Sequence, residues 1–397
     1  MNDLHSILIL TSSLQIEAGG LYYSVPALSK ACHDALEHAN IQILAPHKIV
    51  LKETLVHWSP LELNLSLPLG PNTYKYAPGL LSSLSELQPD ILHVHGIWMY
   101  PSFATYRYAR KHNKPYLISP RGMLDPWALA HSAWKKKLMG FLVENRVIQN
   151  ADCIHALNTE ELQSVRAYGY QGPVAVIPNG VELPDESLLA AEAEKKRRAS
   201  TDGLHFVFLS RLHPKKQVLE LIQCMDVFSQ KYPDRKWVLD IAGTGTADYE
   251  KELKQAAAPF GERIRFHGHV TGTEKSQLLA QADWFILPSH SEGLPMAVLE
   301  AWAHGVPTLI TRACNLSSSF EEDFSICLEA DQVLWPDAID ALFETSPEER
   351  ILLGAQARVY AKDHYSWAEQ GRKMARVYEW LVDGAEKPDC VITKGVE

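Results

Sequence analysis

The chain has 397 residues, 46% of them hydrophobic, and a formal net charge of −10. That length exceeds one ordinary domain and predicts two. The acidic balance excludes broad nucleic-acid binding, which needs a basic face to neutralise phosphates, and no run reaches the roughly 18 apolar residues of a membrane-spanning helix.

The opening MNDLHSILILTSS has no basic leader, so residues 7–10 read as a first strand and not as a signal peptide. Further strands are expected at 41–44, 91–95, 116–119, 153–157 and 174–177. Amphipathic stretches lie between them at 21–38, 102–112, 131–149 and 159–168. Strands alternating with helices predict βαβ units and a parallel sheet. Residues 178–203 break the rhythm: Pro178, Asn179, Gly180, Pro184 and Gly203 surround the charged run EAEKKRRAS.

The rhythm restarts with strands at 205–209, 237–243, 263–268, 284–287, 308–311 and 325–328. In the helical stretch 216–229, Val218, Leu219, Ile222, Met225 and Phe228 share one stripe. The expected organisation is an α/β domain over 1–185 and a second over 186–365. A helix at 366–385, carrying Trp367, Tyr378 and Trp380, packs back toward the first domain, and the tail 386–397 frays. Ligands are expected at the carboxyl ends of strands and in the cleft between the domains. The cysteines, Cys32, Cys153, Cys224, Cys314, Cys327 and Cys390, form no C-x-x-C pair and fit a reducing cytosol.

Five stretches carry candidate chemistry. In HSEGLPMAVLEAWAHGVP (290–307), Glu292 sits in a loop before a helix that starts near Pro295, and Glu300 lies inside the helix. Gly293 lets the backbone approach a ligand. The helix start favours an anion, whereas carboxylates grip sugar hydroxyls; a sugar joined to a phosphate satisfies both. A plain cap at Glu292 and a solvated Glu300 are the structural alternative. Arg211 and Lys216, on the strand-to-helix loop SRLHPKKQVLELI, supply countercharge, or are merely exposed cations. Gly19 and Gly20 open a helix after the first strand, as a phosphate cradle or a flexible turn. His93 and His95 project to one face at the end of a strand. They suit contact with a reacting group or a satisfied core; zinc lacks a third ligand nearby in sequence. Gly243 and Gly245 in IAGTG follow a strand, but Asp248 breaks a dinucleotide fingerprint, and no D-x-D pair is present for a metal-bound sugar nucleotide.

Together AGG (18–20), HVHG (93–96), IPNGV (177–181), SRLHPKK (210–216), AGTG (242–245), FHGHV (266–270) and the E-x7-E segment PSHSEGLPMAVLEAWAHGVP (288–307) resemble the family 4 retaining glycosyltransferases. The resemblance runs through most of the chain and is densest over 205–310. It implies the GT-B architecture, α/β, with two Rossmann-like domains facing each other across a cleft. It implies that Glu292 contacts the donor sugar hydroxyls and Glu300 the nucleotide ribose. Gly293, Leu294 and Pro295 would offer backbone N–H groups, Arg211 and Lys216 would hold the diphosphate with Gly19 and Gly20, and His95 would face the reaction centre. His267 to Val270 would flank the base, and Gly243 would also belong to the donor-binding set. Two departures stand out: Gln217 where a glycine often follows the lysine, and TRACNLSSS (311–319) in place of a glycine-rich turn. SPRGML (119–124) resembles a subset acting in bacterial surface polysaccharide assembly.

The resemblance implies transfer of a sugar, with retention, from a nucleotide-diphosphate sugar to a glycan, lipid-linked glycan or small-molecule acceptor, in a cytoplasmic enzyme that needs no cofactor and no metal. Cations and helix starts would stabilise the leaving diphosphate, domain closure would exclude water, and no side chain is placed as a covalent nucleophile. WKKKLMGFLVENRVI (134–148) pairs three lysines with an apolar face and suits peripheral contact with an anionic membrane. The competing readings are a sugar-nucleotide epimerase or phosphorylase on the same architecture, an inactive glycan-binding scaffold, and a nicotinamide dehydrogenase.

Overall fold

In the computed structural model, the residues described are 4–393 without 16–19, 50, 70–73, 126–128, 130–142, 186 and 188–202. Contacts divide the chain into one unit of Met1–Gly180 with Trp367–Glu397 and another of Val181–Ser366.

The first unit is an eight-stranded sheet in the order β14-β7-β6-β5-β4-β1-β2-β3. Numbered in chain order, its strands are β1 (Ser6–Thr11), β2 (Asn40–Pro46), β3 (Glu62–Ser66), β4 (Ile91–His95), β5 (Tyr116–Ser119), β6 (Cys153–Ala156), β7 (Val174–Val176) and β14 (Val391–Ile392). All neighbours pair parallel except β14, which runs antiparallel to β7. The strands are apolar on both faces because helices cover both. Leu8, Leu10, Leu92, Val94, Ile118 and Ile154 enter one core, and Ile7, Ile9, Ile91, Leu117 and Cys153 the other. The side-chain period of two along each strand makes that division. On the second face, the helices Gly20–Ala35 and Trp367–Asp383 lie against each other. A Cβ on Gly371 would come within 2.4 Å of the Ala31 backbone, so glycine is what lets these helices approach.

The second unit is a six-stranded parallel sheet in the order β10-β9-β8-β11-β12-β13. It comprises β8 (Leu204–Leu209), β9 (Trp237–Ala242), β10 (Ile264–Gly268), β11 (Trp284–Leu287), β12 (Thr308–Thr311) and β13 (Ser325–Leu328). In the helix Val218–Lys231 the expected stripe is buried at Val218, Ile222, Met225 and Phe228, while Leu219 is partly exposed. Both units are Rossmann-like.

Every strand expected from the sequence is present, and two more exist. β3 escapes because it is a half-exposed edge strand with a weak alternating pattern. β14 corrects the frayed tail: its two residues pair with β7, and Lys387 and Arg166 donate to their carbonyls. The helical stretch 131–149 lies outside the described residues for most of its length; Asn145–Gln149 is helical.

Candidate active site

In the second unit, candidate residues gather on the loops after β8, β11 and β12. Beyond β8 the chain passes the exposed Arg211 into a tight turn at Pro214–Lys216, where the His213 ring accepts from the Lys215 N–H at 3.2 Å. Gln217 closes the turn at φ 54° and ψ 39°. That left-handed conformation is the one a glycine would take without strain, and Gln217 adopts it here. The turn aims Lys216, only 7% exposed, at the Glu292 carboxylate, and the two form an enclosed ion pair. Burial lowers the Lys216 pKa, and the bond to Glu292 opposes that shift.

Glu292 does not cap a helix. Its backbone N–H donates to Ala313 O at 3.0 Å, and its carbonyl accepts from Asn315 Nδ2 at 2.7 Å. The TRACNLSSS turn therefore braces the loop from below, with Asn315 left-handed at φ 57°. The helix that follows is Met296–Ala303. Pro295 is its N-cap and, as a proline, has no N–H to offer, which corrects the expected donor set. Gly293, Leu294, Met296 and Ala297 are the backbone donors of this turn; the first bond inside the helix is from Val298 N to Pro295 O at 3.0 Å. Glu300, on the same helix, accepts from Lys275 Nζ at 2.7 Å and is partly exposed, so it meets solvent but is paired.

Gly243, at φ 140°, has a structural reason independent of any ligand: a Cβ there would lie 1.8 Å from Ser210 O. His267 turns its ring onto Asp240, with Nε2 2.8 Å from Oδ1. Arg265 holds the same carboxylate by two bonds at 2.7 and 2.8 Å, and His205 also contacts it. These partners hold the Asp240 carboxyl far below the usual range against the opposing effect of burial. The His267 ring is thus committed to a buried charge, and Val270, 5% exposed, is packed in the core.

In the first unit, Gly20 begins the helix Gly20–Ala35 with open space around its Cα, while Gly19 lies outside the described residues. The two strand-end histidines head a buried polar chain. The His93 ring bonds Tyr378 Oη and Ser119 Oγ, each at 2.7 Å; Ser119 Oγ also meets His155 Nδ1 at 2.7 Å, and His155 Nε2 meets Ile177 O at 2.8 Å. The His93 and His95 ring centroids are 4.2 Å apart. His95 Nδ1 is contacted by Arg121 Nε at 3.3 Å and Nη2 at 3.1 Å, and Arg121 Nη1 donates to Asn179 Oδ1 at 2.9 Å. Burial, then neighbouring histidines and Arg121, push the pKa of His93 and His95 well below the ordinary value; for His155 it falls to about 3. Among the described residues no group of three potential ligands is arranged for a metal ion.

Sequence reasoning missed Arg121, Asn179, Asp240, Lys275 and Asn315. Asp240 announced itself as an acid inside the apolar strand WVLDIA, since a buried carboxylate needs cations. Arg121 and Asn179 lay inside quoted motifs, but the Arg121 contact with His95 and the Asn179 contact with Arg121 join three separate strand ends.

Two Rossmann-like α/β units, each with charged or polar residues on the loops after its strands, are an architecture in which ligands bind at the carboxyl ends of the strands. Residues 203–344 match the family model described as "Glycosyl transferases group 1", and residues 46–180 match the "Glycosyl transferase 4-like domain". The chain belongs to these group 1, family 4-type glycosyltransferases. It is 25% identical over 247 residues to a D-inositol 3-phosphate glycosyltransferase of Pseudarthrobacter chlorophenolicus, covering 60% of this chain and 58% of the relative. It is 24% identical over 224 residues to a GDP-mannose-dependent monoacylated alpha-(1-6)-phosphatidylinositol monomannoside mannosyltransferase of Corynebacterium glutamicum, covering 54% of this chain and 58% of the relative. The aligned part thus spans less than two thirds of these relatives. Among solved structures, a glycosyltransferase of Rickettsia africae superposes with a TM-score of 0.71 at 14% identity, covering 96% of this chain and 100% of that one. Anabaena Alr3699/HepE in complex with UDP gives 0.68 at 16% identity, covering 94% and 99%. At such identities these likenesses speak for the fold, which is GT-B.

Proposed function

We propose that the protein is a retaining glycosyltransferase that moves a sugar from a nucleotide-diphosphate sugar to a glycan, lipid-linked glycan or small-molecule acceptor, in lipopolysaccharide, exopolysaccharide or related glycan biosynthesis. The observation that carries this reading is the enclosed Lys216–Glu292 pair beside the start of the helix Met296–Ala303, with Arg211 exposed on the same loop as Lys216. A diphosphate that takes Lys216 and Arg211 as counterions leaves the Glu292 oxygens to accept sugar hydroxyls. The backbone donors at Gly293, Leu294, Met296 and Ala297 add positive potential where the leaving group gathers charge. Glu300 accepts from the ribose hydroxyls. With Glu292 engaged in this way, the departing phosphate oxygen takes the acceptor proton, and no covalent glycosyl-enzyme forms. No resident metal or cofactor enters this scheme.

The names of the relatives make GDP-mannose and inositol phosphate the first donor and acceptor to try, with UDP sugars next. The test is a thermal-shift screen of nucleotide sugars, followed by product analysis with a labelled donor. Transfer with the anomeric configuration kept is expected. Inverted product, or a trapped covalent sugar on the protein, would overturn the mechanism; epimerised donor without transfer would overturn the function. No helix among the described residues is long and apolar enough to cross a membrane. Peripheral membrane contact through residues 134–148 is tested by flotation with anionic liposomes, where absence of binding at low salt would end the idea.

A further inference from the structure

Resting on the glycosyltransferase reading, we propose that Arg121 is a positioning residue that makes His95 a hydrogen-bond donor, through Nε2–H, to an oxygen of the bound substrate. A guanidinium can only donate, so the ring nitrogen it contacts must accept. Arg121 reaches His95 Nδ1 with both Nε and Nη2, at 3.3 and 3.1 Å. Nδ1 therefore carries the lone pair, and in a neutral ring the proton is left on Nε2. That atom is buried, on a residue 1% exposed, and has no hydrogen-bond partner among the described residues. An enclosed donor without an acceptor is costly unless something fills the position; a sugar hydroxyl or phosphoryl oxygen is the acceptor a sugar-transfer site would bring.

The surroundings keep this arrangement in place. Arg121 sits just past β5 at φ 57°, and its other arm is tied to Asn179, in the loop after β7, at 2.9 Å. Glu161, on the helix Thr159–Ala167, takes the Gly122 N–H at 2.6 Å and the Leu157 N–H at 2.7 Å, so the segment bearing Arg121 is pinned at its next residue. Glu161 also supplies charge that favours the guanidinium. The charged and titratable groups around His95 are then Arg121, His93 beside it on β4, His155 on β6, Tyr378 on the C-terminal helix and Glu161. The nearest of these to the ring, Arg121 and the two histidines, disfavour a second proton on it. Ring state and ring direction follow from one contact. This is a positioning role: Arg121 acts through His95.

The test uses the full chain with 15N-labelled histidine. Long-range 1H–15N spectra, with the His95 signals assigned by loss in His95→Gln, report the tautomer without substrate and independently of activity. The wild type is expected to show Nδ1 unprotonated and Nε2 protonated, and a transfer rate flat between about pH 6 and 8. Arg121→Met should give mixed tautomers, a kcat/KM lower by about tenfold or more, as expected for one misplaced hydrogen bond, and a new fall in rate on the acid side. Arg121→Gln, whose amide can still donate to Nδ1, should restore the tautomer and most of the rate. A purely structural arginine would change the yield of folded protein without moving the tautomer or the pH profile. An Nδ1–H tautomer or an imidazolium in the wild type, or an Arg121→Met protein with wild-type spectra and pH profile, overturns the proposal. Should Arg121→Met fail to fold, the wild-type spectrum with Arg121→Gln decides. Failure of every sugar nucleotide to support transfer by the wild type would instead count against the function, and the spectra would still decide on Arg121.

Discussion

Lowering the pH from 7 to 5.5 should loosen the centre of the first unit. His93, His95 and His155 are 1% exposed or less and are kept neutral by burial and by one another. Unfolded, each titrates near 6.5, so below that pH the unfolded chain binds more protons and stability falls as pH falls. A ring that stays neutral in the fold costs about 1.2 kcal/mol over this interval, and three cost about 4 kcal/mol. Glu144 works the other way. Burial lifts its carboxyl to about 7, and the neighbouring Ser102 hydroxyl and Trp98 backbone offset only part of that rise. Because its unfolded value is near 4.3, the folded state takes up the extra proton as pH falls, and about 1.6 kcal/mol is regained. The net loss is about 2 kcal/mol, a fall of about 30-fold in protection. In Glu144→Gln the regained part disappears and the loss approaches about 4 kcal/mol.

Native-state hydrogen exchange of the full chain, followed by mass spectrometry and corrected for intrinsic rates, reads this directly at β4, β5 and β6. Strands of the second unit, which do not contain these histidines, serve as the internal control. Protection of β4 to β6 that is unchanged or higher at pH 5.5 in Glu144→Gln would refute the reasoning, because it would mean that the rings are protonated in the fold.

Lys216→Met should destabilise the second unit by about 3–5 kcal/mol, since it strands the enclosed Glu292 carboxylate, whereas Lys216→Met with Glu292→Leu should recover much of that melting temperature and none of the donor binding; equal losses in single and double variants would contradict the pairing. Gly243→Ala should lower stability by at least about 4 kcal/mol, because the methyl group meets Ser210 O at 1.8 Å, and a variant that melts like the wild type would show that the loop yields. All six cysteines are free, and in native protein a thiol reagent should reach the partly exposed Cys327 and Cys390 well before Cys32, Cys153, Cys224 and Cys314, whose burial raises their pKa; peptide mapping that finds Cys32 among the first to react would contradict the packing.

What could be read from the sequence divides according to the range of the interaction. The strand runs were legible because both sheets are covered on both faces, so each strand is a short apolar run bounded by turns. Glu292, Lys216 and Glu300 were legible as motifs because loop position and charge can be read locally. Their partners were not: Lys216 and Glu292 are 76 residues apart and Glu300 meets Lys275 across two helices. The same separation hid the state of His95. Its strand position showed only where the ring lies; the nitrogen that carries its proton follows from an arginine past β5, itself steadied by an asparagine past β7. In a parallel sheet, consecutive strand ends come together at one edge although the loops bearing them are far apart in the chain. A histidine there takes its chemical role from residues that no local pattern can attach to it, and those contacts are where mutations outside the recognised motifs should change activity most.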